Sequence, residues 1–220
     1  MKIILFGASG MIGQGVLREC LADPRVERVL AIVRQPLGRS HEKLRELVHG
    51  DFQDYACIES ELSGYDACLF CLGVSSAGMK EADYRRVTYG FTLAAAETLA
   101  RLNPAMTFLY ISGQSTDDTE QGRIMWARVK GATENALLRL PFRAVYLFRP
   151  GFIQPLHGIR SRTRLYRVFY ALACPLVWLV KRLAPDALTT TEQLGRAMLR
   201  VAIEGYERPR LEMRDINRLR

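Results

Sequence analysis

Met1-Lys-Ile-Ile-Leu-Phe-Gly-Ala-Ser-Gly-Met-Ile-Gly-Gln-Gly15 opens the chain, an apolar run that breaks into glycines at Gly7, Gly10 and Gly13. It reads as a strand turning directly into a helix. Ile3, Ile4, Leu5 and Phe6 are continuously apolar, as a strand buried on both faces of a parallel sheet should be. Met11, Ile12, Val16 and Leu17 then recur at helical spacing until Asp23-Pro24 stops the helix. Glycines in such a joint serve a tight turn, a close approach of backbone to a pyrophosphate, and close packing of helix on strand. The helix N-terminus presents unpaired N–H groups and the positive end of its dipole. The stretch therefore predicts a dinucleotide site with Gly7, Ser9, Gly10, Met11, Ile12 and Gly13 at its phosphate wall. A purely steric turn is the alternative, which the flanking strand and helix patterns disfavour.

Working outward from this joint, strands and helices alternate. Residues 28–33, 47–49 and 65–72 read as strands. Residues 81–102 read as a helix with Tyr84, Val87, Phe91, Ala95, Thr98 and Leu102 near one face, ended by Asn103-Pro104. Strand 106–111, helix 121–140 and strand 143–148 follow, the last closed by Pro150-Gly151. This order predicts an α/β fold, a doubly wound parallel sheet of Rossmann type, with ligands gathered beyond the carboxyl ends of the strands. Further on, residues 165–181 are strongly apolar, but the uninterrupted core 168–180 is too short to cross a bilayer and contains Pro175. A core or lid helix is expected there, with peripheral membrane contact the alternative. Residues 191–204 form an amphipathic helix that Thr189 to Thr191 can cap, and residues 211–219 a tail able to pack back on the sheet. We expect a single domain over 1–220, with 152–210 as a small, mainly helical C-terminal lobe covering the substrate side.

The net charge of +8 is uneven: between Glu134 and Asp186 there are nine Lys or Arg residues and no acid. Such a stretch attracts anions, and a solvated face, a phosphorylated ligand and an acidic membrane surface all remain open. No aromatic-interleaved basic motif accompanies it, so nucleic acid is not expected. Five cysteines, an odd number, argue against a disulfide framework and suit a reducing compartment. Cys68 and Cys71 spell C-x-x-C but fall on a strand, where positions three apart point to opposite faces, so core packing is expected and no metal site. The opening apolar run is too short for a secretory signal, and a cytoplasmic protein is expected.

The end of the second strand chooses the nucleotide. An NAD site places a carboxylate about twenty residues past the glycines to accept from the ribose hydroxyls. Here that place holds Val33-Arg34-Gln35-Pro36. Arg34 cannot accept but pairs well with a 2′-phosphate, with Arg39 as a second contact, so NADP(H) is expected. Asp51 is a candidate for the adenine amino group, with turn capping the alternative, and Phe52 for packing beside the ring. Leu72, Gly73, Val74, Ser112, Pro150, Gly151 and Phe152 complete the rim.

The segments Gly7-Ala-Ser-Gly-Met-Ile-Gly13, Val33-Arg34, Gly50-Asp-Phe52, Cys71-Leu-Gly-Val-Ser75, Ile111-Ser112, Val129-Lys-Gly131 and Phe148-Arg-Pro-Gly151 occur in this order. Together they resemble the short-chain dehydrogenase/reductase superfamily, in particular its atypical members, such as the Tat-interacting-protein-like and NmrA-like NAD(P)-binding proteins. The resemblance implies carbonyl–alcohol redox chemistry or sugar epimerisation by a Tyr-x-x-x-Lys pair and a serine. The lysine holds the nicotinamide ribose and lowers the tyrosine pKa. It assigns catalytic roles to Ser112 and Lys130, and places Pro150, Gly151 and Phe152 beside the nicotinamide. The tyrosine position, however, holds Trp126, whose indole donates a hydrogen bond but has no acid–base role near neutrality. His157 is a weaker candidate for the missing acid, and Tyr84 and Tyr89 are expected to pack. Two functions follow. One is an NADP-dependent oxidoreductase or epimerase-like enzyme with a modified proton relay, acting on an unidentified small-molecule substrate. The other is a catalytically inactive NADP(H)-binding sensor or scaffold. By family analogy, the helices at 81–102 and 121–140 imply a homodimer face.

Overall fold

Side chains alternate strictly across the central strands, and this places core on both faces of one sheet. The structure, a computed structural model, describes residues 1–159 and 188–219. The apolar stretch 165–181 and the basic residues 160–167, 181 and 182 lie outside the described residues. Along the chain follow β1 (Lys2–Phe6), α1 (Met11–Ala22), β2 (Arg28–Val33), β3 (Leu44–Val48), β4 (Ala67–Phe70), α2 (Glu81–Arg85), α3 (Phe91–Leu102), β5 (Thr107–Ile111), α4 (Met125–Leu137) and β6 (Ala144–Arg149). The mainly helical C-terminal part adds β7 (Phe152–Gln154), β8 (Leu188–Thr190), α5 (Thr191–Glu204), β9 (Arg210–Glu212) and α6 (Met213–Arg218). Seven strands form one sheet in the order β3-β2-β1-β4-β5-β6-β9. Every neighbouring pair is parallel. The order reverses at β1, so the crevice between the ends of β1 and β4 is the expected ligand position.

Ile3, Leu5, Ala67, Leu69, Leu109 and Ile111 pack on the face covered by α1 and α5. Ile4, Phe6, Cys68, Phe70, Phe108 and Tyr110 pack on the face covered by α3. Cys68 and Cys71 accordingly belong to opposite cores, and the described cysteines are free thiols. The α1–α5 contact needs two glycines: a Cβ on Gly15 would lie 2.7 Å from the Thr191 carbonyl oxygen, and one on Gly195 3.1 Å from that of Gly15. Thr190 caps α5, its hydroxyl accepting from the Gln193 N–H at 3.0 Å.

Four boundaries differ from the sequence expectation, each for a physical reason. β3 starts at Leu44 rather than 47 because its backbone pairs with β2 from Val29 onward, although its side chains are half exposed and carry no clear period. The helix expected over 81–102 is interrupted by a π-turn at Arg86–Gly90. The wider turn rotates the buried stripe, which after Gly90 runs through Leu93, Ala96, Leu99 and Ala100 rather than Phe91 and Thr98. α4 begins at Met125, not 121. Asp117 accepts from Gly122 N–H at 2.6 Å and from the Thr119 hydroxyl at 2.6 Å, which holds the preceding residues in a loop. The expected tail instead supplies a seventh strand, β9, in register with Leu147 to Arg149.

β9 closes over a buried ion pair. Glu134 on α4 is fully buried, and its carboxylate receives two bonds from Arg149 at the end of β6, at 3.0 and 2.6 Å. Arg149 also reaches Glu212 at 3.2 Å, while Arg210 lies 3.5 Å from Glu134. Removing one member leaves a buried charge without its partner, so Glu134→Ala is expected to lower stability by about 3–5 kcal/mol. Urea denaturation of Glu134→Ala, Arg149→Ala and the double variant checks this. The double variant should lose clearly less than the sum of the singles.

Candidate functional site

The β1–α1 joint is built by contact between backbones. Gly7 has φ +76°, and a Cβ there would stand 2.6 Å from the carbonyl of Cys71 at the end of β4. A Cβ on Gly13 would stand 2.0 Å from the Gly7 oxygen. Gly10 N–H donates to that oxygen at 2.9 Å and forms the helix N-cap without a side-chain cap. The first-turn amides of α1 are thereby left to a ligand. Met11 and Ile12 are partly buried and pack their side chains on the core beneath.

A cleft of about 500 Å³ opens beside this joint, walled by Gly7, Ser9, Arg34, Arg39, Phe52 and Leu72 among others. No carboxylate lines it among the described residues. Arg34 and Arg39 make no ion pair among the described residues. The loop carrying them is held from behind, where Leu37 N–H donates to Glu46 on β3 at 2.8 Å. Phe52 is buried against Phe6 and Phe91, with ring centroids 6.3 and 6.0 Å away. Asp51 stands apart from the cleft wall: its carboxylate is exposed and accepts from Gln53 N–H at 2.9 Å, an Asx turn. A further helper here escaped the sequence reading. His49 Nε2 binds the carbonyls of Asp51 and Asp54, the latter at 2.8 Å, and so fixes the loop that delivers Phe52. Gly73, where an added Cβ would meet nothing within 4 Å among the described residues, and the exposed Val74 continue the β4 edge.

A second group assembles at the ends of β5 and β6. Ser112 is buried, with its hydroxyl 3.0 Å from that of Thr116, and Thr116 donates to the Gly113 carbonyl at 2.7 Å. Since the one Thr116 proton is committed there, the bond between the hydroxyls runs from Ser112 to Thr116. Lys130 donates to the carbonyls of Ile111 and Ser112, both at 3.2 Å, with its ammonium 5.3 Å from the Tyr110 ring centre. The Trp126 ring borders Gly113: its Cζ3 lies 3.6 Å from where a Cβ would project. Gln114 N–H donates to the Pro150 carbonyl at 3.0 Å, and a Cβ on Gly151 would meet its side-chain oxygen at 2.3 Å. Phe152 starts β7. His157 is held elsewhere, its Nε2 2.5 Å from Glu192, which lowers the Glu192 pKa. Tyr84 is buried, and Tyr89 lies under Arg85 at 4.5 Å.

A family model described as "NAD dependent epimerase/dehydratase family" matches residues 3–122. Among relatives, "Protein FMP52-2, mitochondrial" of Scheffersomyces stipitis is 26% identical over 152 residues, covering 68% of this chain and 65% of its own length. "Protein HTATIP2" of Rattus norvegicus is 27% identical over 156 residues, covering 69% and 62%. The match thus spans less than two thirds of either relative. Among solved structures, DesIV, a dTDP-glucose 4,6-dehydratase from Streptomyces venezuelae with NAD bound, superposes with a TM-score of 0.72 at 17% identity. It covers 97% of this chain and 75% of that one, a likeness of fold. One expectation is corrected: fungal relatives are named mitochondrial, which conflicts with a cytoplasmic protein. A strand that leads into a glycine turn reports on the fold and does not bear on the compartment.

Burial pushes the Lys130 pKa down to about 8 from the ordinary 10.5, with Glu134 opposing the shift. Between those values the unfolded chain holds a proton that the folded chain has released, so stability rises with pH across that window. The stability of the protein relative to Lys130→Met, followed by urea midpoint, should therefore increase from about pH 8 to 10. A difference independent of pH would show that the ammonium remains solvated.

Proposed function

The chain belongs to the NAD dependent epimerase/dehydratase family, as an NAD(P)-binding protein of short-chain dehydrogenase/reductase type, and from that premise we propose that it binds NADP(H) and works as an oxidoreductase or epimerase-like enzyme on a small molecule. One observation carries the nucleotide choice. Among the described residues, the cleft wall after β2 presents Arg34 and Arg39 without ion-pair partners and holds no carboxylate. Two guanidinium groups suit a phosphate dianion, whereas ribose hydroxyls call for an acceptor.

In this reading Ser9 and the first-turn amides of α1 hold the diphosphate, and Phe52 and Leu72 line the adenosine end. The nucleotide supplies or accepts a hydride; the chain binds, orients and manages protons. Lys130 fixes the end of β5 through two carbonyls, and its remaining N–H is the one left for a ribose hydroxyl. Ser112, donating to Thr116, presents its lone pairs and so favours a substrate hydroxyl as its partner. Trp126 supports packing and a single donated bond, not proton transfer. That residue favours the second reading, a cofactor-binding sensor without turnover.

Fluorescence titration should show NADPH binding at least about tenfold more tightly than NADH, with the preference lost in Arg34→Asp. Equal affinities in the unaltered protein would overturn the nucleotide choice. On a panel of alcohols and carbonyls, Trp126→Tyr is expected to raise the rate of NADP(H) turnover by about 10²-fold or more, as a positioned proton donor does. If the unaltered protein turns over and Ser112→Ala abolishes it, the sensor reading fails.

A further inference from the structure

The cofactor cleft has a neighbour that the proposed reaction does not use. A concavity of about 560 Å³ adjoins it, with Arg39 standing in the wall of both. Arg18 of α1, His41 after β2 and His157 after β7 make up the rest of its basic lining, and Leu21 and Ile159 give it an apolar side. No carboxylate lines it among the described residues. Two acids stand behind it, and both are already matched. Glu19 pairs with Arg18 at 2.5 Å and Arg196 at 3.0 Å, and Glu192 with His157 at 2.5 Å and Arg196 at 2.6 Å. Arg39 has no such partner among the described residues. His41 Nδ1 accepts from Lys43 N–H at 3.1 Å, which makes its Nε2 the N–H donor of the neutral ring.

We infer that this groove binds a phosphate monoester carried on a short apolar body, with the phosphate on Arg39, His41 and Arg18 and the apolar part along Leu21 and Ile159. Guanidinium and imidazole donors suit a phosphate dianion, and a concavity of this size suits a small molecule. Arg39 gives the site a regulatory consequence. A phosphate in the groove and a 2′-phosphate in the cleft draw on one guanidinium, so each weakens the other, and by linkage the two effects are equal. This coupling rests on the NADP(H) reading; the groove itself does not.

Calorimetry with hexyl phosphate and with inorganic phosphate tests the site in the absence of nucleotide. Hexyl phosphate is expected to bind about tenfold more tightly than inorganic phosphate, and His41→Ala and Arg18→Gln should each weaken it severalfold. Equal affinity for the two probes, or indifference to both substitutions, overturns the proposal. Co-sedimentation with phosphatidylcholine vesicles containing phosphatidic acid, lost in His41→Ala, assigns the phosphate to a lipid headgroup. Binding of hexyl phosphate without such co-sedimentation assigns it to a soluble ester. With hexyl phosphate saturating, NADPH affinity should fall and NADH affinity should not. If hexyl phosphate binds while NADPH and NADH bind equally, the nucleotide choice fails and the groove stands. If NADPH is preferred and hexyl phosphate does not bind, the groove alone fails.

Discussion

Three backbone segments meet without side chains between them at the start of α1, and the rest of the molecule is arranged around that contact. Gly13 lies against the Gly7 carbonyl, and Gly7 lies against the carbonyl of Cys71. Any Cβ at these points would collide with main chain rather than with a movable side chain. The contact fixes α1 on the sheet, sets the distance between the ends of β1 and β4, and turns the amides of the first helical turn outward. The ligand crevice is therefore a product of packing: a helix seated this low on a parallel sheet has nowhere else to aim its N-terminus.

What the sequence made legible follows from the range of the forces involved. β1, α1 and β2 are readable almost to the residue because their signals are local: apolar runs, glycines and Asp23-Pro24. The three-residue strands β7, β8 and β9 have too few positions to show a period, and their pairing depends on partners distant in the chain. The π-turn at Arg86–Gly90 also escaped, since an inserted residue rotates a helical face without altering composition. At the candidate site, the glycines, Arg34 and Phe52 carry their own chemistry and were visible. His49, Glu46, Thr116 and Gln114 act through carbonyls, amides and hydroxyls that only the tertiary fold brings to them.

The two ends of the site differ in chemical completeness. At the β1–β2 end, the cleft, the glycine turn and two arginines without ion-pair partners among the described residues suit a dinucleotide. At the β5–β6 end, Ser112 and Lys130 are present but engaged with hydroxyl and backbone, and Trp126 borders them with a ring that cannot exchange a proton near neutrality. The separation is possible because different elements build the two ends: α1, β2 and the loop after β3 build one, and β5, β6 and α4 the other. The buried Glu134–Arg149 pair ties α4 to β6 and leaves the nucleotide end untouched.

The glycine-to-glycine seating of α1 on α5 bears on how a nucleotide would be received. Gly15 and Gly195 hold the two helices too close for sliding without backbone collision, while Gly13 pins the other side of α1 to β1. A helix clamped on both sides does not stiffen further when its N-terminus meets a phosphate. The entropy of ordering that end is lost when the chain folds, not when the ligand arrives, so association there should resemble filling a rigid mould. Any structural adjustment would fall instead to the Arg34–Arg39 loop, which is held by the packing of Leu37 on the core and by one bond from its N–H to Glu46 on the half-exposed edge strand.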